Sequence, residues 1–136
     1  YVEALNDGTF EWAEIVEKIH GIVDILPSSS RFAPDILEVS DEELNRSCDD
    51  IDDSLGDARA ILAELSDDGE LVECRSSGDQ SMVTGFIRIA GMPLGVVACN
   101  EYEGKKRITA DGCNKAAKLI DLCTNEPAGI LCKLTF

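Results

Sequence analysis

The segment from Met82 to Leu134 constrains the fold more than any other part of this chain. Met82–Ala90 is dense in Val, Ile, Phe and Thr, residues that suit a pleated and half-buried surface. Gly91-Met92 turns the chain, and Pro93–Cys99 is a second run of the same kind, so the two read as a hairpin. A polar loop, Asn100–Thr109, leads into a helix over about 111–123, with Cys113, Ala116, Ala117, Ile120 and Cys123 on one face. Pro127 precedes a last apolar run, Ala128–Leu134. Strand, helix and strand at this spacing form a βαβ unit, because a parallel return needs a crossover and the crossover is right-handed. The predicted class is α/β.

The upstream half is helical and irregular. Trp12, Ile15, Val16, Ile19, Ile22, Val23 and Leu26 recur at three and four, which predicts a helix over Thr9–Leu26 that ends at Pro27 and the serines after it. Residues 27–53 hold no sustained period and predict a connector with one short turn around Asp41–Arg46. A second helix is expected over Ser54–Leu65, with Leu55, Ala58, Ile61, Leu62 and Leu65 as its apolar stripe and Asp52, Asp53 and Ser54 at its start. The Asp67-Asp68-Gly69 turn stops it, and a short strand, Glu70–Cys74, follows. The expected division is a helix and connector over 1–53 and a domain over 54–136. A length of 136 residues suffices for one modest core.

Charge and cysteine usage narrow the chemistry. A formal net charge of −15 repels nucleic acid and anionic membrane, and no stretch is apolar for long enough to span a bilayer. Tyr1–Phe10 shows no basic and then apolar pattern of a secretory signal, and a first residue of Tyr rather than Met suggests a piece cut from a longer chain. The six cysteines form no C-x-x-C pair, and the only histidine, His20, is far from most of them, so no metal site is expected. Reduced thiols and a cytoplasmic location are the corresponding expectation. No nucleophile elbow, phosphate loop or dinucleotide fingerprint is present. The acidic run Asp49 to Asp53 lacks the alternation of a calcium loop and reads as a solvated helix start. One feature opposes the general field: Lys105-Lys106-Arg107, in the loop after the Pro93–Cys99 strand and before a helix. With Asn100 these are the candidate ligand-binding residues, because anions bind beyond the carboxyl ends of strands and near helix starts. Solvation as an ordinary polar loop is the competing reading.

The stretch LGDARAILAELSDDGELVECRSSGDQSMVTGFIRIAGMPLGVVACN is similar to the opening of the second carboxyltransferase domain in propionyl-CoA carboxylase β-type and glutaconyl-CoA decarboxylase α-type subunits. The shared features are Asp67 to Glu70, Gly85 to Arg88, Gly95 to Ala98, and the Lys115-Ala116-Ala117 helix. Upstream, IVDILPSSS and DEELNR resemble the family's interdomain connector. The resemblance implies part of a crotonase-like fold of ββα units, preceded by a helical connector. It implies a carboxyl group moving between biotin on a carrier protein and the α-carbon of an acyl-CoA, in a parent enzyme that is a homo-oligomer. Backbone N–H pairs in glycine turns stabilise the oxyanions of such a reaction, so few titratable side chains are needed. The family's last strand ends in an Asp-x-Pro-Gly-Phe-like turn, where this chain reads Lys133-Leu134-Thr135-Phe136, and the family's later glycine pairs have no counterpart before Phe136. The resemblance therefore carries over no catalytic residue, and the chain alone is expected to bind no cofactor and to be inactive. The alternatives are a non-catalytic crotonase-like assembly module and a small acidic binding module.

Overall fold

A computed structural model describes residues 11–25, 38–67, 69–125 and 129–133, with the side chains of Glu43, Asp50, Lys106, Asn125 and residues 129–133 left out of the description. Helix α1 spans Trp12–Ile25. A single helical turn, α2, covers Asp41–Leu44, where the connector was expected to turn, and a 3₁₀ turn covers Asp49–Ile51. Helix α3 (Ala58–Leu65) is followed by β1 (Val72–Glu73), β2 (Met82–Ile89) and β3 (Met92–Cys99). Two short strands, β4 (Glu101–Tyr102) and β5 (Lys105–Lys106), precede α4 (Ala110–Asn125) and β6 (Gly129–Lys133). The expected ends at Thr9, Leu26, Ala128 and Leu134 lie outside the described residues.

The main sheet has the order β1-β2-β3-β6. The hairpin pairs antiparallel from Met82↔Cys99 to Ile89↔Met92, and β6 returns parallel to β3 from Leu94↔Gly129 to Ala98↔Lys133. Pro93 cannot donate to a ladder, and it lies one residue before the β6 pairing begins. Alternation along β2 and β3 sends Met82, Phe86 and Val97 to one face, where they pack with Ile25, Ala116, Leu119 and Cys123. Val83, Ile87, Val96 and Ala98 go to the other face, where they pack with Ala58 and Leu62. Helices thus cover both sides of the sheet, so β2 and β3 read as near-continuous apolar runs.

Three local contacts explain sequence features. Ala90 and Gly91 close the hairpin with positive φ of 52° and 73°, the pair of left-handed residues that a two-residue turn requires. Asp67 clamps that turn, its carboxylate accepting from Ala90 N at 3.0 Å and Gly91 N at 2.7 Å. Gly85 sits so close to β1 that a Cβ there would collide with the carbonyl oxygen of Val72. The connector is tied to the domain by Arg46, whose Nη2 donates to the carbonyls of Ser66 at 2.7 Å and Glu64 at 3.1 Å.

Two expectations about the helices need correction. The second helix starts at Ala58 rather than Ser54: Gly56 adopts φ +104°, which breaks a helix, and Asp57 is the N-cap, accepting from Arg59 N and Ala60 N. Leu55 is therefore exposed. On α4 the buried face carries Gly112, Lys115, Ala116, Leu119 and Cys123, whereas Cys113 and Ala117 are exposed. A buried lysine substitutes for the apolar residue that periodicity looked for.

Candidate functional site

β3 delivers the chain to Asn100, at the carboxyl end of the parallel pair. Asn100 is buried and fully engaged. Its N–H donates to Ser81 O at 2.9 Å, its Oδ1 accepts from Ala58 N at 2.9 Å, and its Nδ2 donates to Gln80 O at 3.1 Å. One side chain thereby joins the end of β3, the start of α3 and the loop before β2. Its polar atoms face inward.

Beyond Asn100 the expected open loop is a small hairpin of β4 and β5, closed by Glu103 and Gly104 with φ of 53° and 67°. Its root is fixed by Glu101 N donating to Gly56 O at 2.9 Å. The register sets Lys105 opposite Tyr102 and Lys106 opposite Glu101. Lys105 and Arg107 are exposed, and Lys106 is described by its backbone alone. Between residues 100 and 111 the positives Lys105, Lys106 and Arg107 are matched by Glu101, Glu103 and Asp111. The basic island thus lies on a charge-balanced hairpin that displays Lys105 and Arg107.

The start of α4 already has an acceptor and a charge. Thr109 Oγ1 accepts from Gly112 N at 2.9 Å and donates to Asp79 Oδ2 at 2.8 Å. Asp79 Oδ1 accepts from the Ser81 N–H at 2.9 Å and from the Ser81 hydroxyl. Burial pushes the Asp79 carboxyl up, but the hydrogen bonds from Ser81 and Thr109 outweigh it and hold the group below the usual carboxylate range. A side-chain carboxylate therefore answers the positive end of this helix from within the fold.

Behind Asp79 lies the group that sequence reasoning missed. Lys115 is 4% exposed. Its Nζ donates to Met82 O at 2.8 Å and Asp79 O at 3.2 Å, and it lies 3.7 Å from Glu73 Oε1. Glu73 accepts from Arg59 Nε and Nη2, both at 2.8 Å, and Arg59 also donates to Gln80 Oε1 at 2.9 Å. Burial pushes the Lys115 ammonium below its ordinary value, against the pull of Glu73, while the Glu73 hydrogen bond raises Arg59. The available signal was Lys115 itself, a charge on the buried face of an otherwise apolar stripe. Chemically the cluster is a fastener: it holds the loop over residues 75–81, β1, α3 and α4 in one arrangement. No buried side-chain nitrogen or oxygen among the described residues lacks a hydrogen-bond partner.

Cys48, Cys74, Cys99, Cys113 and Cys123 form no disulfide, and the Cys132 side chain is outside the described residues. Among the described residues no group of three His, Cys, Asp or Glu side chains could hold a metal ion. His20 is exposed on α1. Among those residues no helix is long and apolar enough to cross a membrane.

With this geometry in view, comparison with known proteins is decisive. The carboxyl transferase domain matches residues 12–132. The chain belongs to the carboxyl transferase domain family. A propionyl-CoA carboxylase beta chain of Roseobacter denitrificans is 27% identical over 127 residues, covering 88% of this chain and 25% of the relative. The biotin-dependent long chain acyl-coenzyme A carboxylase beta4 subunit of Mycobacterium tuberculosis is 26% identical over 116 residues, covering 79% of this chain and 22% of the relative. This carboxyl transferase chain thus spans about a quarter of the length of these relatives. Among solved structures, transcarboxylase 12S, with methylmalonyl-coenzyme A and methylmalonic acid bound, superposes with a TM-score of 0.74 at 17% identity. That match covers 87% of this chain and 24% of the transcarboxylase chain, and it shows the crotonase-like fold expected from the resemblance.

Proposed function

We propose that this chain is a section of a biotin-dependent acyl-CoA carboxyltransferase or acyl-CoA decarboxylase subunit, in which it supplies the opening strands and helix of a crotonase-type domain. The carrying observation is the family match from Trp12 to Cys132, which takes in the helix, the connector and the whole βαβ unit together. In the parent protein a carboxyl group moves between biotin on a carrier protein and an acyl-CoA, and the subunits assemble with copies of themselves. The compartment proposed for it is the cytoplasm, where cysteines outside disulfides are the rule.

In this reading the chain's own part is structural. The Arg59–Glu73–Lys115 cluster and the Asp79–Thr109 cap hold the carboxyl end of β3 rigid, and the β4–β5 hairpin stands beyond it. Ligand contact is proposed along Asn100 to Arg107, through Lys105, Lys106 and Arg107, with Asn100 fixing the hairpin's origin. Charge balance on the hairpin makes such contact weak and dependent on ionic strength. The test is an NMR titration of the whole chain with coenzyme A at low and moderate salt. Shifts confined to residues 100–115 that fade with salt support the reading, and no shifts, or shifts centred on α1, refute it. In a carboxyl-transfer assay with biotin and malonyl-type acyl-CoA, the purified chain is expected to show no turnover, and measurable turnover would overturn the structural role.

A further inference from the structure

Helix α1 meets the domain by its last turns. Ile25 is buried and Gly21 packs against the Val72 methyls, whereas the amino-terminal half of the helix is mostly exposed. A helix of 14 residues is marginal in water on its own, so α1 depends on this docking. Arg88 secures it, its Nη2 donating to Asp24 O at 2.5 Å, where a cation also suits the carboxyl end of a helix. A second arginine, Arg46, holds the connector through the carbonyls of Glu64 and Ser66.

Both arginines lead to the β2–β3 turn. Arg46 Nη1 lies 3.8 Å from Asp67 Oδ1. Asp67 donates its backbone N–H to Arg88 O at 2.9 Å, and its carboxylate holds the N–H groups of Ala90 and Gly91. Arg88 Nη1 reaches Gly91 O at 3.5 Å across the same turn. A continuous run of polar contacts therefore joins Arg46 in the connector to Asp24 in α1. The turn in the middle of that run is strained. Ala90 has a φ of 52°, which is unfavourable for a residue with a Cβ, and the Asp67 clamp offsets that cost.

We propose that the Ala90–Gly91 turn is a latch on which α1 and the connector are fastened jointly, so that the two release and dock again as one strap while the rest of the domain stays folded. Their fasteners are shared, and this couples them. Loss of Arg46 removes a cation that steadies the Asp67 carboxylate. A looser Asp67 lets the left-handed turn relax, and a relaxed turn displaces Arg88, two residues before it. The same steps run from Arg88 back to Arg46, because a coupling free energy belongs to the pair. Release uncovers Val72 and the place of Ile25 at the β1 edge of the sheet. What stays behind is the better buried part, where β2, β3 and α4 share Met82, Phe86, Val97, Ala116 and Leu119.

The test is native-state hydrogen exchange on the whole chain, read amide by amide by NMR. In the parent the last turn of α1 should be protected, though less than the middle of α4. Arg46→Met should speed exchange at Ile22–Ile25 as well as at Leu44, Asn45 and Ile51, by at least about tenfold, the effect of losing a hydrogen bond from a charged donor. Arg88→Met should speed both segments likewise, and α4 should exchange in both variants as in the parent. Asn45→Ala is the control: it removes the Asn45 Nδ2 bond to Asp41 O within the connector, away from the turn, and should leave α1 unchanged. Arg46→Lys, which keeps a charge near Asp67 with fewer donors, should give a smaller effect of the same pattern. An unprotected α1 in the parent, a response confined to the substituted segment, a response of α1 to Asn45→Ala equal to that to Arg46→Met, or loss of α4 protection together with that of α1 in both Arg46 variants would each overturn the proposal.

Discussion

Replacing Glu73 with Gln tests whether the buried cluster holds the domain together. Glu73 is 12% exposed at its side chain and receives two hydrogen bonds from Arg59 while lying 3.7 Å from Lys115. The exchange keeps the shape and removes the charge. Lys115, 3% exposed, is then left with carbonyl partners alone and with Arg59 as an uncompensated neighbour. Removing one partner of a buried pair costs about 3–5 kcal/mol. Arg59 is a third exposed, so water offsets part of that loss, and the expected cost is about 2–3 kcal/mol. Domains of this kind have about 5–15 kcal/mol in total, so the loss is large but leaves a folded protein. The assay is urea unfolding followed by far-ultraviolet circular dichroism, with a slope near 1–1.5 kcal/mol per molar and a midpoint falling by about 2 M. Adding Lys115→Met removes the stranded cation, and the double variant should recover at least about 1 kcal/mol relative to the sum of the single losses. A Glu73→Gln cost below about 1 kcal/mol, or strictly additive losses, would refute the account of Lys115 as a cation that needs its carboxylate.

Three further outcomes follow from the same structure. Burial holds the folded Lys115 below its unfolded value, so the folded state binds fewer protons in between, and stability should rise with pH from the folded value up to the ordinary lysine value; the difference in unfolding free energy between the parent and Lys115→Met should show that rise, and a flat difference would contradict it. Gly85→Ala should cost more than about 2 kcal/mol in thermal unfolding, because the added methyl meets the β1 backbone rather than a side chain that can move; a cost under about 0.5 kcal/mol would mean that β1 detaches at little expense. Asp67→Ala removes both acceptors of the hairpin turn and should cost about 1–3 kcal/mol, whereas Asp67→Asn, which keeps one acceptor, should cost less in the same melt.

The resemblance also gains physical content. Asp67, taken from the sequence as part of a helix-stopping turn, is the clamp on the Ala90–Gly91 turn, and Arg46 lies 3.8 Å from it. Gly85 is required by the backbone of β1, and Lys115 by the loop it fastens. Three of the motifs that carry the resemblance are thus contacts between elements far apart in the chain.

The main helices and the strands of the main sheet were legible in the sequence because their signals are local, whereas the two-residue strands β4 and β5 were too short to show one. The hairpin declared itself through two apolar runs about one turn, and the parallel return of β6 followed from the helix between them, since only a crossover can bring a strand back in that direction. Where local signals competed, the structure decided. The start of α3 moved from Ser54 to Ala58 because Gly56 turns left-handed against Glu101, a neighbour 45 residues away that no window around Ser54 contains. The character of the charged groups was decided only by the tertiary structure. Lys105, Lys106 and Arg107 read as one positive run in an open loop, yet the chain there folds into the β4–β5 ladder, with Lys105 opposite Tyr102 and Lys106 opposite Glu101. Lys115 stood out in the sequence only as part of the Lys115-Ala116-Ala117 resemblance, yet the fold buries it among Glu73, Asp79 and Met82. The physical reason is range: the pattern of a helix or strand repeats within a few residues, whereas the energy of a charge depends on water and on partners that come together only when the chain has folded.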